Sequence, residues 1–131
     1  MANLPQKTHT CLSGTEYRLT SLPALPARAL LIELVNLIGK ARVLGAGSTV
    51  ETAFMALVSS EQFERFYQAF EPVTEARVAG NWVPVVNAGS YVGAFGDMYE
   101  VMEAHLRMNF QSFFDRFAAL RAQSPNPSEK S

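Results

Sequence analysis

Residues Asp97–Leu120, DMYEVMEAHLRMNFQSFFDRFAAL, decide the fold. Phe95, Tyr99, Met102, Leu106, Phe110, Phe113, Phe117 and Leu120 recur at steps of three and four. At about 100° per residue they fall on one stripe of a long amphipathic helix. Glu100, Glu103, Arg107, Gln111 and Asp115 fall opposite, with Glu103 and Arg107 spaced as an i,i+4 ion pair. Asp97 followed by Glu100, just after Gly96, reads as the capping box that starts this helix. Two features exceed what a core helix needs. Met108 and Phe114 lie off the stripe and widen the apolar surface, and Asn109 lies on it, where an amide must find a hydrogen bond or stay wet.

Upstream, the chain divides into shorter elements. Met1–Ser13 is polar and reads as a flexible segment. Thr15–Thr20 alternates, with Tyr17 and Leu19 on one side, as a short strand does. After the turn Leu22–Pro26, a helix is expected from about Ala27 to Leu44, with Pro26 in its first turn. Its polar face is narrow, Glu33, Asn36 and Lys40, so it is either the centre of the domain or shared with a second subunit. Gly45-Ala46-Gly47 ends it as a helix cap and connector, since neither a third glycine nor a P-loop lysine follows.

Ser48 with Glu51 caps a second helix to about Val58, and Ser59 with Gln62 a third, Glu61–Glu71, stopped by Pro72. Val73–Val86 switches to a period of two around Ala79-Gly80-Asn81, a small hairpin whose second strand Pro84 confines to an edge. Asn87–Gly96 reads as a loop. Gln123–Ser131 is polar with two prolines and reads as a disordered tail. The fold expected is therefore mainly α: about four helices with a minor β element, in one domain spanning residues 14–122. Its expected core is Leu34, Val35, Ile38, Phe66, Phe70, Leu106, Phe110 and Phe113.

Composition limits the function. Of the 131 residues 48% are hydrophobic and only 18% charged, with a formal net charge of −1. The 11 basic residues form no run, which argues against a nucleic-acid partner held by a basic surface. The longest apolar run, Ala29–Ile38, is interrupted by Glu33 and Asn36 and is too short to span a bilayer. The single cysteine, Cys11, fits a reducing compartment and reads as an exposed thiol without a function. His9 falls in the flexible segment, and His105 reads as a helix-surface or satisfied core histidine. No H-x-x-x-H, C-x-x-C or G-x-S-x-G motif occurs, so no catalytic, cofactor-binding or metal-ligating set is assigned and the chain is not read as an enzyme. Surplus apolar surface without a reaction centre is the profile of a binding or assembly module.

Three stretches carry a family resemblance. They are EYRLTSLPALPARALLIELVNLIGKA from Glu16, FERFYQAFEPVTEARVAGNW from Phe63, and NF-x-SFF at Asn109–Phe114. From Gly14 to Phe117 the chain resembles the small tail assembly chaperones of long-tailed phages. Residues 75–96, with Trp82, and the extension Met1–Ser13 depart from that pattern. The resemblance implies a non-catalytic protein of the bacterial host cytoplasm, phage or prophage encoded and not retained in the mature virion. It implies the tape measure protein as partner and the tail tube protein as a further one, with no nucleic acid or membrane involved. The alternatives are a structural tail protein of the virion and a generic helical interaction adaptor.

The apolar arc of the first helix predicts self-association. Met108, Phe114 and Phe117 are the expected partner-binding residues, because Phe114 points away from the core stripe near a helix end. The competing reading packs Phe114 on the first helix or on a second subunit.

Overall fold

The computed structural model describes residues 4–40, 49–88 and 95–123, and the side chains of Lys40, Asn87, Ala88 and residues 117–123 are not among those described. The expected helix end at Leu44, the Gly45-Ala46-Gly47 connector, most of the Asn87–Gly96 loop and the tail beyond Gln123 lie outside these residues.

The sheet corrects the expected fold class. The protein is a mixed α and β fold rather than mainly α with a minor β element, because four strands join in one antiparallel sheet of order β1-β2-β3-β4. The strands are β1 (Gln6–Thr10), β2 (Glu16–Thr20), β3 (Thr74–Val78) and β4 (Asn81–Pro84). The stretch expected to be flexible supplies β1. Its sequence QKTHT has no apolar alternation, and the strand is held through its backbone register with β2, Lys7 against Leu19 and His9 against Tyr17. β2 also pairs with β3, Tyr17 opposite Ala76 and Leu19 opposite Thr74. These four residues are buried and form the inner face. On the outer face Arg18 pairs with Glu75 at 2.8 Å, and its guanidinium lies 4.8 Å from the centre of the Trp82 ring.

The β3–β4 turn follows from its sequence. Val78 pairs with Asn81, and both intervening residues take positive φ, Ala79 at 51° and Gly80 at 83°, as a two-residue type I′ turn requires. β4 carries Pro84 at the sheet edge, as expected.

The helices are α1 (Ala24–Lys40), α2 (Val50–Val58), α3 (Phe63–Phe70), a short α4 (Val85–Ala88) and α5 (Phe95–Gln123). α1 starts ahead of Pro26, where first-turn residues need no N–H donor, and Ala27 N donates to Pro23 O. α2 is capped by Thr49, not Ser48: the Thr49 hydroxyl accepts from Thr52 N, and the Thr52 hydroxyl accepts from Thr49 N. Ser59 does not cap α3. Its hydroxyl donates back to Met55 O, and Pro72 lies in a 3₁₀ turn, Glu71–Val73, that follows α3.

α5 lies between two cores. On one side Met102, Leu106, Phe110 and Phe114 join Leu30, Leu34 and Ile38 of α1, Val50, Ala53 and Leu57 of α2, and Phe66 and Phe70 of α3. On the other, Val101 and Ala104 join Cys11, Tyr17, Leu19, Ala76 and Val85. Six of the expected core residues are buried, Leu34, Ile38, Phe66, Phe70, Leu106 and Phe110. Val35 is half-buried and Phe113 is exposed, with Phe114 buried in its place. The buried row 102, 106, 110, 114 advances by four, along a ridge of the kind that interlocks with a neighbouring helix. A reading that steps by three from Phe110 selects Phe113 instead.

Candidate partner-binding surface and the α5 polar seam

Three polar contacts fix α5 against the sheet and the turn before α1. Asp97, 1% exposed, is not a helix cap; it lies inside α5, where its carboxylate accepts the Tyr17 hydroxyl at 2.6 Å and the Ser13 hydroxyl at 3.0 Å. Asn109 answers the demand its position makes: Oδ1 accepts Leu22 N at 2.9 Å, and Nδ2 donates to His105 O at 2.9 Å.

His105 is fully buried, stacked on Phe70 with ring centroids 4.5 Å apart, and its Nε2 lies 2.7 Å from the Thr74 hydroxyl. That hydroxyl donates to Phe70 O at 2.7 Å, so its one proton is used and His105 Nε2 is the donor to Thr74. Nδ1 is then an unprotonated buried nitrogen without a hydrogen-bond partner among the described residues. Burial holds the imidazole neutral, its pKa pushed down to about 3. His105 is thus a core histidine, one of the two readings the sequence left open.

The solvent face of α5 carries the expected ladder. Arg107 bonds Glu103 at 3.0 Å and also pairs with Glu51 of α2, and Gln111 donates to Asp115 at 2.9 Å. Glu100 turns from this face toward the β1–β2 turn, where its carboxylate accepts Leu12 N.

The residues expected to bind a partner are not a single exposed patch. Phe114 is 5% exposed and belongs to the core, so the exposure that singled it out is absent. Met108 is half-buried against the sheet-side core, and the Phe117 side chain lies outside the described residues. Phe113 takes the outward place, 38% exposed and edge-to-face on Phe114 at 5.4 Å. The largest exposed apolar groups of the helices lie elsewhere too. Leu25 and Ile32 of α1 are 77% and 44% exposed, and Met55 of α2 and Phe95 of α5 are also exposed. Leu25 and Ile32 are seven residues apart, two helical turns, so they share one face. The 17-residue helix α1 therefore buries Leu30, Leu34 and Ile38 and presents apolar groups outward as well.

The fold also brings together groups that the sequence scatters. His9, Cys11 and Glu100 offer donor atoms all within 4.8 Å of one another. Cys11 is 3% exposed, not an exposed thiol; burial first, then the Asp97 and Glu100 carboxylates, push its pKa up to about 12. The H-x-C spacing was visible, but its significance depends on a strand that the sequence does not announce.

A phage tail assembly chaperone family model matches residues 13–121. The chain belongs to the phage tail assembly chaperone family. The match spans β2 to the C-terminal part of α5, so it takes in the helix-side core and the sheet-side core apart from Cys11. Membership implies a non-catalytic role in tail assembly. No curated protein and no solved structure matches the chain. Among the described residues of the chaperone, no helix is long and apolar enough to cross a membrane.

Proposed function

We propose that this chaperone binds the tape measure protein in the bacterial host cytoplasm while the tail tube assembles, catalyses nothing, and is not kept in the mature virion. Family membership supports the assembly role. The observation that carries the binding assignment is the outward face of α1, where Leu25 and Ile32 leave apolar groups in water on a helix whose opposite side is already packed. A long helical partner can lay its own apolar stripe in such a place, reading side chains at helical spacing. Phe113 of α5 and Met55 of α2 are further exposed apolar groups, and both suit a partner whose register varies. Met108 and Phe117 remain candidates for the same task, whereas Phe114 supports the helix from inside. Self-association through the α1 face is part of the proposal, since the same groups serve a second copy until the partner displaces it. Tube protein is a further partner.

Co-expression with the tape measure protein followed by size-exclusion chromatography tests this. The wild-type chain co-elutes; Leu25→Glu with Ile32→Glu does not, while its melting temperature changes little, because exposed substitutions cost within about 0.5 kcal/mol. Co-elution that survives both charges puts the surface elsewhere. Light scattering that finds a strict monomer at high concentration removes self-association. Abundant copies in purified virions would favour a structural tail protein instead.

A further inference from the structure

β1 and the turn after it hold a group of side chains that the partner surface does not use, of which Cys11 also lines the sheet-side core. His9 and Cys11 are two residues apart, so in extended backbone they point to the same side. That side is the inner one, because His9 is paired with Tyr17, which is fully buried. The first turns of α5 pack there and bring Asp97 and Glu100 to the same place. His9 Nε2 lies 3.6 Å from Glu100 Oε1, and donor atoms, one each from His9, Cys11 and Glu100, fall within 4.8 Å of one another.

We propose that His9, Cys11 and Glu100 form a zinc-binding site that staples the β1–β2 hairpin to the first turns of α5. An imidazole nitrogen, a thiolate and a carboxylate oxygen are the ordinary zinc donors. Around a tetrahedral ion with ligands at about 2.0–2.3 Å they stand about 3.3–3.8 Å apart. The His9–Glu100 separation already lies in that range, and closing the widest separation takes a movement of about 1 Å. A soft sulfur donor beside an imidazole selects zinc over magnesium or calcium, which take oxygen ligands.

Two further observations point the same way. His9 Nε2 is itself buried and has no hydrogen-bond partner among the described residues, although it lies 3.6 Å from Glu100 Oε1. The ligands are also held from behind, as metal ligands are. Leu12 N donates to both oxygens of Glu100 at 3.2 Å. Backbone bonds from Cys11 N to Thr15 O and from Gly14 N to Cys11 O fix the cysteine in its turn, where Gly14 takes a positive φ of 91°. Asp97 lies beside Cys11, whose thiol proton a bound ion displaces, and is itself oriented by the Tyr17 and Ser13 hydroxyls. The His9 and Glu100 side chains are each 30% exposed, so the ion enters from solvent and keeps a water in its fourth position.

The full chain, purified with chelator under reducing conditions, is titrated with Co²⁺ and then with Zn²⁺. One Co²⁺ per chain is expected, with a near-ultraviolet thiolate-to-cobalt charge-transfer band that Zn²⁺ removes. Because Cys11 is the single cysteine, the band reports this site. Cys11→Ser abolishes it. His9→Gln and Glu100→Gln, at partly exposed positions that leave both cores intact, each weaken binding by at least the about 10–100-fold seen when supporting residues of metal sites are lost. Zn²⁺ raises the melting temperature of the wild type and not of His9→Gln. No band in the wild type, or a band equally strong in both His9→Gln and Glu100→Gln, overturns the site. The second result would mean that the thiol alone collects the ion.

Discussion

Phe113 and Phe114 are neighbours of the same type, and the structure gives them opposite roles; truncating each in turn measures the difference. Phe114 is 5% exposed in the helical core, so Phe114→Ala removes a buried ring and leaves a cavity. Such changes cost about 3–5 kcal/mol. The site is the last of the buried row on α5 among the described residues, and the lower end of that range, about 3 kcal/mol, is taken. A chain of 131 residues falls between the size classes for which 1 kcal/mol shifts the midpoint by about 4–8 °C and about 2–4 °C, so the expected drop is about 9–15 °C. Phe113 is 38% exposed, and its edge-to-face contact with Phe114 is worth about 0.5–1.5 kcal/mol, a drop of about 2–7 °C when that contact is removed. Thermal melts followed by far-ultraviolet circular dichroism read both values. A larger cost for Phe113→Ala than for Phe114→Ala would refute the assignment of Phe114 to the core and restore it as a surface residue.

Two further outcomes follow from the polar seam. His105 is held neutral with its pKa lowered to about 3, so below the unfolded value of about 6.5 the unfolded chain takes a proton that the folded one refuses. The stability His105 contributes is whole above that value and falls by about 1.4 kcal/mol per pH unit as pH drops toward 3; in denaturant titrations between pH 6.5 and 4.5, His105→Gln has a slope shallower by about one proton, and an unchanged slope would place the imidazole in contact with water. Tyr17→Phe removes the 2.6 Å hydrogen bond to buried Asp97 and costs about 1.5–3 kcal/mol by urea unfolding, whereas a variant as stable as the wild type would show that the carboxylate is already hydrated.

Periodicity made the local elements legible and left their assembly hidden. The long helix, α3 with Phe66 and Phe70, the alternation of β2 and the hairpin ending at Pro84 all announce themselves, because each buries one face and its period shows in the residues. The sheet does not. β2 and β3 are separated by three helices, and no local pattern says that Leu19 will lie opposite Thr74. β1 is polar throughout and gains its place from backbone pairing, so a hydrophobic pattern had nothing to detect. Asp97 misled for a related reason. An acidic residue at the start of an apolar helix usually caps it, but here a tyrosine from a distant strand supplies the donor and draws the carboxylate inside.

The surface was harder to read than the core, because a helix that packs on two sides has no single buried stripe. α5 buries Val101 and Ala104 toward the sheet and Met102, Leu106, Phe110 and Phe114 toward the helices, so residues off the principal stripe are not thereby exposed. That is why the surplus apolar width at Met108 and Phe114 resembled a binding site. It is explained by a second layer, the sheet, which covers Met108, and by the four-residue ridge, which turns Phe114 inward. Once the sheet accounts for that width, the exposed apolar surface to consider moves to α1, where Leu25 and Ile32 are covered by no layer among the described residues. The missing strand also hid the His9–Cys11 pair, since two side chains share a face only after the backbone between them is extended. The two changes of site have separate causes: the four-residue ridge turns Phe114 in on the helices, and a polar strand that pairs through its backbone brings His9 and Cys11 against α5.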